Sequence, residues 1–188
     1  MSDAKGKLAI ISGPSGVGKS TICRLVVNKL GAMLSVSATT RPKAASEIDG
    51  GDYYFILPEE FARRLEAGAF LEHAEVFGNW YGTPREPVEA ALAEGRTVIL
   101  EIDVQGGVQV KAKMPQAAMI FILPPSEDDL LKRIKSRGRG EDEQTLNRRL
   151  EKAQAEIAEG KKHYQYFVVN DVLEKAVDDV IGIIKEHK

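Results

Sequence analysis

The sequence has a single cysteine, no apolar run long enough to span a membrane, and no excess of either charge. Cys23 has no second cysteine to pair with, and a lone thiol on a helix reads as a small core residue rather than a redox group. With 26 Lys and Arg against 28 Asp and Glu, the net charge of −2 argues against a broad nucleic-acid-binding surface. Repeats and low-complexity tracts are absent. The stretch Met1–Lys7 lacks the apolar core of a secretion signal, so a cytoplasmic location without membrane or nucleic-acid partners is expected. What the chain does have is bulk. Its 188 residues, 43% hydrophobic and 29% charged, suffice for one domain with a sizeable core and small insertions.

The apolar pattern alternates between strand-like and helix-like segments. Leu8–Ile11, Thr97–Asp103, Met119–Leu123 and Tyr166–Asn170 are short, β-branched and apolar, as buried strands are. Between them, helical spacing appears at Ile22, Leu25, Val26 and Leu30; at Val88, Ala91 and Leu92; and at Leu130, Leu131 and Ile134. A helix from about Glu143 to Gly160 follows, and a last stripe runs from Leu173 to Ile184. Ser126 and Asp129 have the spacing of a capping box. Strands alternating with helices predict an α/β fold, a three-layer sandwich around a central parallel sheet. Residues 35–83 break the rhythm. There Leu34–Thr40 and Tyr53–Leu57 read as strands and Pro58–Ala67 as a short helix, while Gly78–Gly82 reads as an aromatic turn outside the core.

One stretch organises the rest. Gly13-Pro14-Ser15-Gly16-Val17-Gly18-Lys19-Ser20-Thr21 fits G-x-x-x-x-G-K-[ST], with a strand before it and a helix after it. Glycines let successive N–H groups converge on one anion, and the helix start adds unpaired donors. Lys19 can reach the outer phosphates of a nucleoside triphosphate, and the Ser20 hydroxyl can meet its magnesium. A P-loop that binds a nucleoside triphosphate is the expectation. Glu101 and Asp103 end the strongest strand, and alternation would place both carboxylates on one side, where either can meet the magnesium through water; capping the strand in solvent is the alternative. Gln105-Gly106-Gly107 allows a close backbone approach.

Lys132, Arg133, Lys135, Arg137, Arg139, Arg148 and Arg149 surround an Arg-Gly-Arg-Gly break. A solvated helix face is the ordinary fate of such a run; nucleic acid fits poorly, because acids interrupt the run and aromatics do not interleave it. Beside a triphosphate site the favoured reading is a lid whose guanidiniums close on the transferring phosphoryl group. In the interrupting segment, Ser37, Arg41, Tyr53, Glu72, Tyr81 and Thr83 are polar groups suited to a second ligand. An arginine and phenols suit a phosphate. A carboxylate suits the N1–H and amine donor pair of guanine, which adenine lacks. Thr83 as a helix cap before Pro84, and the tyrosines as core, are the alternatives.

The P-loop, Ser35–Arg41, Asp52-Tyr53, Phe70–Glu72, Gly78–Thr83, Glu101–Gly106 and Val169–Asp171 stand in the order found in guanylate kinases, and the chain resembles that family over almost its whole length. The resemblance implies a core of residues 1–34, 84–125 and 150–188 for ATP, a GMP-binding insertion at 35–83 and a mobile lid at 126–149. It implies that Ser37, Glu72, Thr83 and Asp103 read the guanine, while Arg41, Tyr53 and Tyr81 hold the GMP phosphate. Lys19, Arg137 and Arg149 would line the transferring group, and Asn170 would lie near the adenine. Where the family usually has a second arginine, this chain has Ala44, with Lys43 beside it. The implied reaction is Mg-dependent phosphoryl transfer from ATP to GMP; nothing in the sequence decides between a monomer and a homo-oligomer. Its rivals are a kinase for another small molecule and a related module that docks phosphorylated peptides.

Overall fold

The computed structural model describes residues 6–137 and 142–187, with Arg137 described by its backbone alone. Five parallel strands form the central sheet in the order β2-β7-β1-β8-β9. They are β1 (Leu8–Ser12), β2 (Met33–Leu34), β7 (Val98–Glu101), β8 (Ala118–Leu123) and β9 (Tyr166–Val169). β1 lies at the centre with all five residues buried, the burial its continuous apolar run demands. Helices cover both faces. On one face α1 (Lys19–Leu30) and α7 (Leu173–Glu186) pack Ile22, Val26, Val177, Val180 and Ile184 against Ile11, Ile99 and Ile120. Cys23 is fully buried there, and burial pushes its thiol well above the ordinary range. On the other face α3 (Arg85–Ala93), α4 (Val104–Lys113) and α6 (Glu143–His163) meet Ile10, Leu100 and Phe121.

A second, four-stranded sheet lies within the interrupting segment, in the order β4-β3-β6-β5. Its strands are β3 (Ala38–Thr39), β4 (Tyr54–Phe55), β5 (Phe70–Val76) and β6 (Asn79–Pro84), with α2 (Pro58–Glu66) packed against them. Leu34–Thr40 is therefore two strands and not one: Met33–Leu34 pairs with β7 in the large sheet, and Ala38–Thr39 pairs with β6 in the small one. The chain leaves one sheet for the other between them. Gly78–Gly82 is likewise strand for most of its length. The turn is at Phe77 and Gly78, with φ of 51° and 75°, while Trp80 packs on Phe61 and Phe70. The imperfect alternation of β5 has its cause in a register shift between Phe70 and Glu72.

Helix α4 is not foreseen by the sequence pattern, because Gly106 and Gly107 interrupt its apolar stripe. Both glycines are places of close approach. A Cβ at Gly106 would press on Glu72, and one at Gly107 would collide with the Tyr164 hydroxyl. Helix α5 (Glu127–Arg137) starts as its sequence promises: Asp129 N–H donates to Ser126 Oγ at 3.1 Å, and the Ser126 hydroxyl donates back to the Asp129 carboxylate at 2.6 Å. Leu130 and Ile134 of α5 pack with Ala153 of α6. Among the described residues no helix is long and apolar enough to cross a membrane.

Candidate active site

The P-loop turns away from the end of β1 through three positive φ angles, 152° at Gly13, 86° at Gly16 and 99° at Gly18. Only glycine adopts these readily. Space forbids side chains as well: a Cβ at Gly18 would stand 2.6 Å from Asn170 Nδ2. Gly18 caps α1 without any side-chain hydrogen bond, so the first amides of the helix stay available to an anion. The loop encloses a cavity of about 180 Å³ lined by Pro14, Ser15, Gly16, Lys19, Ser20 and Glu101. Lys19 Nζ donates to the Gly13 carbonyl and, at 3.1 Å, to that of Pro14. Burial lowers its pKa, against the opposing pull of Glu101. The Ser20 hydroxyl donates to Glu101 Oε1 at 2.6 Å.

Glu101 and Asp103 do not share a strand. Glu101 is the last residue of β7, whereas Asp103 lies beyond the strand and caps α4, its carboxylate accepting the Gly106 N–H at 2.7 Å. The chain turns into a helix at Asp103, so strand alternation does not apply to it. Glu101 faces Ser20, and Asp103 faces Gly106 and Glu72.

Beside the loop is a second cleft, of about 360 Å³, lined by Gly16, Gly18, Thr21, Arg133, Ser136 and Asn170 among others. Asn170 holds its wall by donating from Nδ2 to the Val17 carbonyl at 2.8 Å. Arg133 donates to the same Val17 carbonyl at 3.2 Å and to the Asn170 carbonyl at 2.9 Å, tying α5 to both. In the sequence Arg133 is one cation in a charged run. Its signal was position, one residue before the buried Ile134 that packs over Gly16.

In the small sheet, Glu72 and Thr83 are directly paired across β5 and β6, and both are buried. The Thr83 hydroxyl donates to Glu72 Oε1 at 2.6 Å, so Thr83 serves the carboxylate and does not cap α3, whose cap residue is Pro84. Burial raises the Glu72 pKa, the Thr83 hydrogen bond opposes this, and the Asp103 charge adds to the rise. Both carboxylates lean on Gly106: a Cβ there would lie 2.9 Å from Glu72 Oε2 and 3.4 Å from Asp103 Oδ1. Ser37, half-buried before β3, accepts the Tyr54 N–H on its carbonyl at 2.9 Å.

Arg41 lies over the Tyr53 and Phe55 rings, 5.6 and 5.7 Å from their centroids. Tyr81 is edge-on to Tyr53 at 5.8 Å. Burial raises the Tyr53 pKa, and the neighbouring Tyr81 adds to this. The structure thus gathers Arg41, Tyr53 and Tyr81 into one group, and Glu72, Thr83 and Asp103 into another. Arg149 is half-buried in the second turn of α6. Arg139 and the side chain of Arg137 lie outside the described residues.

A family model described as guanylate kinase matches residues 5–187. A guanylate kinase of Symbiobacterium thermophilum is 49% identical over 185 residues, covering 98% of this chain and 87% of that protein. One from Clostridium perfringens is 48% identical over 187 residues, covering 99% of this chain and 86% of its own. Among solved structures, the guanylate kinase of Anaplasma phagocytophilum superposes with a TM-score of 0.78 at 34% identity, covering 98% of this chain and 87% of that one. With a glycine loop intact at the end of a central strand, and likeness of this extent, the chain belongs to the guanylate kinase family and is a phosphotransferase of the nucleoside monophosphate kinase kind.

Proposed function

We propose that this chain transfers the γ-phosphoryl group of ATP to GMP, giving ADP and GDP. The observation that carries the choice of GMP is the buried Glu72 carboxylate, held at one oxygen by Thr83 and placed beside Asp103 over Gly106. An ionised carboxylate accepts and does not donate, which suits the guanine N1–H and amine pair and rejects the adenine edge. Ser37 belongs to this reading as a further contact to the base. Arg41, Tyr53 and Tyr81 are assigned to the GMP phosphate. Gly13–Thr21 receives the ATP phosphates, and the cleft beside Asn170 receives the adenine.

The acceptor is a phosphate oxygen largely ionised at neutral pH, so the reaction needs no general base. What the chain must do is align two phosphates and neutralise their charge. Lys19 supplies fixed positive charge at the loop, and Arg137 and Arg149 are assigned to the transferring group. Residues 126–149 are the proposed lid, closing over residues 35–83 and the core to exclude water that would otherwise hydrolyse ATP.

A magnesium ion fits the donor set at Ser20 and Glu101. A hydroxyl and a carboxylate 2.6 Å apart are hard oxygen ligands, and magnesium takes few protein ligands when phosphates and water complete its shell. Among the described residues no cluster of three His, Cys, Asp or Glu forms a dedicated protein cage for a metal. The Asp103 carboxylate is turned to Gly106 as the cap of α4, whereas Ser20 would hold the ion with Glu101 acting through water. When bound it would neutralise phosphate charge.

The test is ADP formation from ATP and magnesium across GMP, AMP, CMP, UMP and dTMP. Turnover with GMP alone is expected. Turnover with another monophosphate would overturn the reading of the base, and ATP binding without turnover would point to a module that only binds.

A further inference from the structure

The loop between β3 and β4 carries a carboxylate that the assignments above leave without a task. A guanidinium offers two bidentate edges, the Nη1/Nη2 end and the Nε/Nη2 side. Glu47 takes the end of Arg41: Nη1 donates to Oε2 at 3.0 Å and Nη2 donates to Oε1 at 2.6 Å. The other Nη1 proton goes to the Pro42 carbonyl at 2.9 Å. The Nε/Nη2 side remains for a ligand and for the Tyr81 hydroxyl, which also hydrogen-bonds this guanidinium, and the group lies over the rings of Tyr53 and Phe55.

Glu47 organises its own loop as well. Its Oε2 accepts the Ala44 N–H at 2.8 Å, and its carbonyl accepts Lys43 Nζ at 2.9 Å. One residue therefore fixes Arg41 at its end, the backbone at Ala44 and the ammonium of Lys43. Because position 44 contributes an N–H and no cationic side chain, the loop has a single guanidinium to offer. Its placement then matters more.

We propose that Glu47 is a positioning residue for the acceptor: it holds the end of Arg41 so that the Nε/Nη2 side faces the phosphate of the monophosphate. The inference rests on GMP being that acceptor. The role opposes simple electrostatics, since a carboxylate lowers the positive potential around Arg41. Orientation outweighs that loss only if Arg41 is otherwise free to swing, as an arginine of long, flexible stem is. A carboxylate that merely fills the phosphate seat would act in the opposite sense, and its removal would strengthen binding.

Steady-state kinetics on the full chain separate these roles, with GMP varied at saturating ATP. Glu47→Ala is expected to raise the KM for GMP about tenfold, with kcat and the KM for ATP within about twofold. Glu47→Gln, which keeps one acceptor oxygen, should fall between. In an Arg41→Ala background Glu47→Ala should add nothing further, because its effect passes through that guanidinium. A lowered or unchanged KM in Glu47→Ala would overturn the proposal, as would an undiminished effect in the Arg41→Ala background. A wild-type chain without GMP turnover would overturn the reaction and this inference together; active wild type with unaltered variants would overturn the inference alone.

Discussion

Under the proposed function the two sheets meet their ligands by different means. The large sheet is buried on both faces, and at the end of its central strand it presents mostly backbone: loop amides, the start of α1 and one lysine. The small sheet presents side chains. It shares with α2 a cluster of just three buried apolar residues, Ala38, Phe61 and Phe70, while Leu71 of β5 packs into the core beneath the large sheet. It does not stand alone. Gln109 of α4 bonds both the N–H and the carbonyl of His73, at 3.2 and 3.0 Å, and Lys113 Nζ reaches the Phe70 carbonyl at 3.1 Å. A phosphate-binding loop built of backbone needs a stiff support, because each amide is aimed by its neighbours. A site built of side chains tolerates a thinner platform, with orientation supplied locally by pairs such as Glu72 with Thr83 and Arg41 with Glu47.

Damage to the two regions should therefore look different. Lys19→Ala is expected to have the largest effect, lowering kcat by about a thousandfold with an unchanged melting temperature, because the loss is of charge at the phosphates. A comparable loss on removing a single group of the small sheet would blur the distinction. Phe61→Ala should cost about 3 kcal/mol and fall on the small sheet, weakening GMP binding while calorimetry still shows ATP binding. If both ligands are lost together, the two sheets are one cooperative unit.

Glu72→Gln should lower kcat/KM for GMP by about 10- to 100-fold and narrow the gap to other monophosphates. Its stability should move the other way. The folded pKa of Glu72 is raised by burial, so the stability contributed by its protonated form is complete below the ordinary carboxylate pKa and lost as pH rises through the folded value. Glu72→Gln removes that loss. Its melting temperature should exceed wild type at pH 8 and converge with it near pH 4. The smallest effect is expected from Arg133→Ala, a rise of a few-fold in the KM for ATP with the KM for GMP unchanged, since two hydrogen bonds to carbonyls are exchanged for water.

The sequence was most readable where the backbone itself carries the signal. β1, the glycine loop and α1 follow from an apolar run, glycines at required positive φ and a stripe of period 3.6. The small sheet was harder, because strands of two residues such as Ala38–Thr39 and Tyr54–Phe55 carry too few residues to show a period. β6 was obscured by Gly78 and Gly82, glycines that read as a turn; at Gly82 the close contact is with Phe70 on the neighbouring strand. Two glycines hid α4, and without that helix Asp103 looked like the end of a strand. Of the candidate residues, those around Arg41 and Glu72 were legible by their chemistry, but their division into two groups, with Asp103 beside Glu72, comes from the family resemblance. Glu47 and Arg133 were not, because a carboxylate in a turn and a cation in a charged helix look like ordinary surface until their partners are known.

The burial of Cys23 has a practical consequence. Its thiol is enclosed and held protonated, and it has no other cysteine for company in the sequence. A maleimide dye should leave the native chain unmarked. Cysteines introduced at exposed Glu75, on the β5–β6 hairpin, and at Lys132, on α5, would then be the sole attachment points for a fluorescent pair. Energy transfer between them would report whether the small sheet and the proposed lid move relative to each other as ATP and GMP are added.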